Sequence, residues 1–233
     1  MTDFGNIAVG FRSAGSPDPR FVKSWQDLLK YDLQPRDSLL DPAIGMPHHV
    51  AANDLAVRFL CDTNADTLLM VDDDIVFDAT SLTKLRKNQY NWFFGVVSAL
   101  YCMRSYPHYP LLMAKTSEPG VYKRREPRDT DKTVKVDVVG LGFILIRRVI
   151  LEALVAKGLS GMFFEWGSFG EGEDENFCSK VRSIDQKIGV DTRVIVDHQI
   201  TIGVFWDREQ GKVQYRSRSI TGRCVIPSRK KEA

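Results

Sequence analysis

The stretch Leu68-Leu69-Met70-Val71-Asp72-Asp73-Asp74-Ile75-Val76-Phe77 constrains this chain more than any other. Four apolar residues run straight into three consecutive acids, and an apolar run then resumes. A strand without polar alternation is buried on both faces, as in a sheet covered by helices. In open α/β sheets the ligand crevice lies beyond the carboxyl ends of such strands. Three carboxylates placed there repel one another unless positive charge sits among them. A hard divalent cation, Mn2+ or Mg2+, held by one or two carboxylates and by substrate phosphate oxygens meets that need. An acidic surface turn would account for the acids, but not for Ile75, Val76 and Phe77 behind them.

A chain of 233 residues is long enough for one large domain with a full core, or for two small ones. The net charge of +2 is unevenly spread, with eight Lys/Arg against three Asp/Glu from residue 201 onward. This basic C-terminal segment could meet phosphate, nucleic acid or an acidic surface, or serve as a solvated tail. Cys61, Cys102, Cys178 and Cys224 are far apart and show no CxxC spacing, so they suggest neither a zinc site nor a disulfide framework. The first three sit in apolar runs and read as buried core thiols, which fits a reducing compartment. No basic-then-apolar leader and no membrane-length apolar run is found, so the expectation is a soluble cytoplasmic protein with no membrane span.

In chain order, residues 6–11 read as a first buried strand leading into a turn-rich loop at 12–17. A nucleotide often lies against such a loop. Its glycines do not form GxGxxG, so a dinucleotide fold is not indicated. Phe21, Trp25, Leu28 and Leu29 recur at helical spacing over 18–31. Residues 32–47 read as loop with a short strand near 38–40, and 48–60 as a second helix. His48 and His49 open that helix and point to different sides of it. Residues 79–87 form a short helix, 92–102 a core strand and 109–114 another strand. Residues 117–132 are polar and interrupted by two prolines, a mobile surface loop beside the site. Residues 134–139 read as a strand that 141–146 continue, followed by a helix at 147–156. A convincing helix spans 173–188, with Phe177, Val181, Ile184 and Ile188 as its stripe and Gly172 and Asp174 at its start. Residues 194–196 form a last strand leading into Asp197-His198.

Asp72 to Asp74 end a strand, Glu173 and Asp174 open a helix, and His198 follows the final strand. In a doubly wound sheet all three features can converge on one edge. That set suits sugar transfer from a nucleoside diphosphate. A metal held by carboxylates and an imidazole offsets the charge growing on the leaving diphosphate. A carboxylate near the acceptor hydroxyl acts as general base, and a base opposite the leaving group gives inversion. Asp174 is the candidate base, with a helix cap as its alternative role.

The segments 68–74, 94–102, 136–148, 172–178 and 196–198 resemble, in order, those of nucleotide-sugar-dependent glycosyltransferases of the GT-A fold. The resemblance is closest to family 2 and its phage and bacterial members, and it covers roughly residues 5 to 200. It implies an α/β, Rossmann-like single domain with a mostly parallel central sheet flanked by helices over 1–200. The basic segment 201–233 has no counterpart in that family; it would cover the active site and its donor, bind the acceptor or support a dimer. It implies that Asp72 and Asp74 are the DxD acids that bind the nucleotide ribose and the metal, and that His198 completes the metal shell. Glu173 and Asp174 match the catalytic Glu-Asp motif, with Asp174 as base. Phe11, Arg12, Ser13, Asp73 and Asn53 fall among the donor contacts, although Asn53 follows Ala52 where many relatives carry arginine. Gly140 and Gly142 match a glycine pair beside the acceptor and the transferred sugar. A nucleoside-diphosphate sugar, with a UDP-sugar favoured, is the implied donor.

Three rival readings use the same residues. A haloacid-dehalogenase-type phosphatase would take Asp72-x-Asp74-x-Val76 as its nucleophile motif and Ser98 as its second element, but would leave the Gly140 block and His198 without a role. A nucleotidyltransferase would need a richer phosphate loop than Arg12-Ser13-Ala14-Gly15. A nucleic-acid binder would use Tyr215 among Arg208, Lys212, Arg216 and Arg218. The same tail also allows a nucleic-acid acceptor, such as a modified base in phage DNA.

Overall fold

The computed structural model describes residues 5–91, 94–104, 108–118, 121–125, 133–168, 170–199, 202–207 and 212–217. The chain runs β1 (Ile7–Ser13), α1 (Pro19–Tyr31), β2 (Ser38–Leu39), β3 (Ala43–Ile44), α2 (His48–Asp62), β4 (Thr67–Asp72), β5 (Ile75–Val76), α3 (Ser81–Asn91) and β6 (Val96–Leu100). It continues through β7 (Met113–Lys115), β8 (Tyr122–Arg124), β9 (Thr133–Val136), β10 (Phe143–Arg147), α4 (Arg148–Ala156), α5 (Glu173–Arg182), β11 (Ile188–Ile195), β12 (Asp197–His198), β13 (Ile202–Asp207) and β14 (Lys212–Ser217).

The central sheet has the order β2-β1-β4-β10-β6-β11-β9, with β3 also paired to β1. β2, β3 and β4 run parallel to β1, and β11 runs parallel to β6. β10 is antiparallel to both of its neighbours, and β9 is antiparallel to β11. The fold is therefore a mixed α/β domain with a mostly parallel central sheet.

Consecutive strand residues alternate between two cores. Ala8, Leu68, Met70, Ile144 and Ile146 face a cluster that includes Ala52, Leu55 and Phe59 of α2, Leu151 of α4 and Phe177 of α5. Ile7, Val9, Leu69, Val71, Phe143 and Leu145 face the other cluster, with Phe21 and Leu28 of α1 and Leu82 and Leu85 of α3. Double-sided burial explains why β4 and β10 carry almost no polar residues. Helix ends follow local chemistry. Asp18 caps α1 by accepting from Arg20 N–H, with Pro19 in the first turn. Buried Asp32 accepts from the amides of Leu82 and Thr83, which ties α3 to the end of α1.

Several expectations need correction. Residues 134–139 and 141–146 are not one strand: β9 closes the sheet edge, while β10 lies between β4 and β6. The helix expected over 173–188 stops at Arg182, and Ile188 opens β11. Its turn includes Asp185 at φ +55, outside the helical region. Cys61 is exposed rather than buried, whereas Cys102 and Cys178 are buried as expected. The strand expected at 109–114 is confined to β7, and the 117–132 loop contains β8, paired with β7. Residues 119–120 and 126–132 of that loop, Cys224, Arg208 and Arg218 lie outside the described residues. β13 and β14 pair with each other as an antiparallel hairpin. No helix among the described residues is long and apolar enough to cross a membrane.

Candidate functional site

The topology brings the selected residues to one edge. β1 and β4 are parallel and end there at Ser13 and Asp72, and β6 delivers Tyr101 just beyond Leu100. Because β10 is antiparallel, its first residue is at the same edge, and Asp72 N–H donates to Gly142 O at 2.9 Å. β12 pairs with β5, which sets His198 opposite Ile75 and next to Asp74. A cavity of about 230 Å³ is lined by Arg12, His48, Asp72, Tyr101, Arg104, Leu111, Gly140, Leu141, Glu173, Asp174 and His198. A larger hollow of about 450 Å³, lined by residues such as Asn6, Arg58 and Asn64, lies at the opposite, amino-terminal ends of β1 and β4. It contains none of the clustered acids, and chemistry favours the smaller cavity.

Arg12 and Asp72 are register partners on adjacent parallel strands, so their side chains emerge on the same face. Arg12 Nε donates to Asp72 Oδ1, and Nη2 donates to Oδ2 at 3.2 Å. Arg12 Nη1 donates to His48 O at 3.1 Å, joining the start of α2 to the site. Burial alone would raise the pKa of Asp72, but the charge and hydrogen bonds of Arg12 outweigh it and hold the carboxyl below its usual range. Ser13 donates its hydroxyl to Asp73 Oδ2. Two of the expected donor contacts are thus engaged with the acids themselves.

Asp74 and His198 form a second group with Arg104. His198 Nδ1 lies 2.9 Å from Cys102 O. A carbonyl only accepts, so Nδ1 carries the proton and Nε2 of the neutral ring presents its lone pair. That lone pair accepts from Arg104 Nε at 2.7 Å, and Arg104 Nη2 also pairs with Asp74 Oδ2. Burial, together with the nearby Arg104 charge, lowers the pKa of His198 and keeps the ring neutral. Asp74 Oδ2 and His198 Nε2 are 3.6 Å apart, while Asp74 Oδ1 is buried without a hydrogen-bond partner among the described residues.

On the far side of the cavity stands Asp174, in the first turn of α5. The N-cap position is Gly172, with no side-chain cap bond, so Asp174 is not the N-cap residue, although its carboxylate meets a first-turn amide. Its Oδ1 accepts the Glu175 amide at 2.8 Å. Burial raises its pKa to about 6, and the charges of Glu173 and Glu175 add to the rise. Glu173 lines the cavity beside it.

Gly140 and Gly142 make room for Tyr101. A Cβ at Gly140 would overlap the Tyr101 hydroxyl and lie 2.8 Å from Leu111 Cδ1. A Cβ at Gly142 would lie 3.0 Å from the same hydroxyl, which accepts the Gly142 amide at 2.7 Å. The Tyr101 ring stacks edge-on against His198, with centroids 5.4 Å apart. Burial pushes the Tyr101 phenol well above its usual pKa, so it stays protonated.

Two expected contacts are placed elsewhere. Phe11 packs edge-on against Phe21 and Trp25 of α1, with centroids at 5.1 and 4.8 Å. Asn53 latches the segment before α5: its Nδ2 donates to Phe164 O at 2.7 Å, and its Oδ1 accepts the amides of Phe163 and Phe164. Its amide is occupied by that backbone. Sequence reasoning missed Tyr101 and Arg104, and gave His48 only a polar role at the start of a helix. The available signal was position, since Tyr101 to Arg104 follow a buried strand just as Asp72 to Asp74 do.

No family model matches the chain, and no curated protein matches it. Among solved structures, one titled "Crystal Structure of A197 from STIV" superposes with a TM-score of 0.58 at 19% identity, covering 97% of this chain and 100% of that one. At that identity the likeness supports the fold and carries nothing about activity.

Proposed function

We propose that this protein transfers a sugar from a nucleoside-diphosphate sugar, a UDP-sugar first among the candidates, to an acceptor hydroxyl with inversion. The observation that carries the reading is the composition of one cavity. Arg12, Arg104 and His198, with Asp74 held behind Arg104 and His198, share it with a carboxylate of raised basicity, Asp174. The first set meets the demand of a departing diphosphate, and the second that of an attacking hydroxyl. Of these, Asp74, Asp174 and His198 come from the sequence segments that resemble GT-A glycosyltransferases.

In this reading the Asp174 carboxylate accepts the acceptor's proton as the oxygen attacks the anomeric carbon. The bond from that carbon to the diphosphate breaks on the opposite face, and its electrons leave with the phosphate oxygen. Tyr101 holds the Gly142 backbone and the His198 ring in place. A divalent cation, Mn2+ or Mg2+, fits Asp74 and His198. One carboxylate oxygen and one imidazole lone pair face each other at 3.6 Å, and Asp74 Oδ1 remains unpartnered. Among the described residues no three His, Cys, Asp or Glu side chains converge as a ready cage. Two protein ligands suffice when substrate phosphates complete the shell. Asp72, named with Asp74 and His198 from the sequence, lines the cavity with each of its oxygens accepting from Arg12. When bound, the cation supplies positive charge to the leaving diphosphate.

The phosphatase reading lacks support of this kind, since the buried Ser98 hydroxyl is directed at the carbonyls of Ala99, Gly140 and Phe143. Buried Cys102 and Cys178 fit our placement of the protein in the cytoplasm. The reading is tested by following release of nucleoside diphosphate from a panel of nucleotide sugars. Wild-type protein should release it from one donor class and the Asp174→Asn variant should not. Equal release by both would remove Asp174 from the base role.

A further inference from the structure

Of the two arginines that line the cavity, Arg104 has its side chain half exposed, at 46%. Its guanidinium nevertheless reaches inward to Asp74 and His198. Arg12, by contrast, is locked between Asp72 and His48 O and is buried. The lone pair on His198 Nε2 is single, so it serves either the Arg104 N–H or another cation, never both. Asp74 Oδ2 is shared between the same two uses. A guanidinium beside a divalent ion would also be repelled by it. Arg104 and a metal therefore compete for one position.

The backbone just before Arg104 is held, while the Arg104 side chain is half exposed. Met103 N–H donates to Tyr109 O at 2.9 Å, and Cys102 bridges to Pro110. Side-chain rotation alone can withdraw the guanidinium without moving the Cys102 carbonyl that sets the His198 tautomer. The anion that reaches this rim in the donor reading is a diphosphate, and a guanidinium pairs with phosphate oxygens through two parallel N–H donors.

We propose that Arg104 is an exchangeable internal cation. It neutralises Asp74 and His198 until a divalent cation is present, then yields both ligands and passes its guanidinium to the diphosphate of the donor. The second half rests on the glycosyltransferase reading; the first half rests on the geometry alone.

The experiment compares wild type, Arg104→Ala and Arg104→Lys. Mn2+ binding without nucleotide is followed by electron paramagnetic resonance, and binding of UDP, GDP and uridine with Mn2+ by calorimetry. Removing the competitor should tighten Mn2+ binding in Arg104→Ala by about tenfold. The same variant should bind the nucleoside diphosphate about tenfold more weakly and uridine unchanged, with Arg104→Lys recovering part of the loss. Unchanged Mn2+ affinity in Arg104→Ala overturns the exchange. Tighter Mn2+ binding with unaltered diphosphate affinity overturns the transfer to phosphate. If wild type binds neither diphosphate, the donor reading and the second half fall together, and the Mn2+ titration still decides the first half.

Discussion

Asp174 is the residue on which the chemistry turns, and its pKa of about 6 makes two measurements informative. As a base it must be ionised, so kcat/KM should fall about tenfold per pH unit below about pH 6. A limb near pH 4 would place the proton acceptor elsewhere. The same shift sets the sign of a stability effect. The folded pKa lies above the ordinary 3.8, so the folded protein retains a proton that the unfolded chain has released. Ionised Asp174 therefore disfavours the fold, with the cost absent below about pH 4 and complete above about pH 6. Asp174→Asn should raise stability by roughly 1–2 kcal/mol at pH 7.5 and lose that advantage near pH 4. Denaturant melts at the two pH values check this, and a variant less stable at pH 7.5 would contradict it. Asp74→Ala should weaken Mn2+-dependent nucleotide binding, whereas unchanged affinity would remove Asp74 from the ligand set. The pairing of Asp74 with His198 was legible as a candidate site because the acids interrupt a buried strand and the histidine follows one. Arg104 was not readable, because an arginine in a proline-containing loop carries no local pattern that marks it.

At the scale of elements, the loop ahead of α5 and the Gly140–Gly142 turn position the site. Asn53 satisfies two amides and a carbonyl of the 163–164 backbone. Asn53→Ala should cost roughly 1–3 kcal/mol and lower kcat, leaving nucleotide affinity unchanged. Loss of nucleotide affinity would restore the donor contact expected from the sequence. Gly140→Ala should cost roughly 1–3 kcal/mol through overlap with the Tyr101 hydroxyl. In a Tyr101→Phe background that cost should shrink, because the overlapping hydroxyl is gone while Leu111 Cδ1 at 2.8 Å remains. Strict additivity in this double-mutant cycle would show that the glycine serves another purpose. Helices α1, α2 and α4 were legible from their apolar spacing. The end of α5 was not, because Ile184 and Ile188 sit four apart and imitate a helical stripe, whereas Ile188 starts a strand. Periodicity at one residue cannot separate the two.

At the scale of the whole molecule, the apolar strand pattern indicated a sheet buried on both faces, and that is the observed architecture. Strand direction was beyond the pattern, since an apolar run reads alike forward and backward. The antiparallel placement of β10 between β4 and β6 is what returns Gly140 and Gly142 to the edge where Asp72 ends. Of the set expected to converge, Asp72, Glu173, Asp174 and His198 line one cavity, while Asp73 and Asp74 stand beside it on Ser13 and His198. The central claim is that this cavity receives a nucleoside diphosphate. Calorimetric titration with UDP, GDP, CDP and ADP, each with and without Mn2+, tests it most directly. The account predicts tight, Mn2+-dependent binding of one of them, with UDP the first expectation. Binding of none, with or without Mn2+, would contradict it.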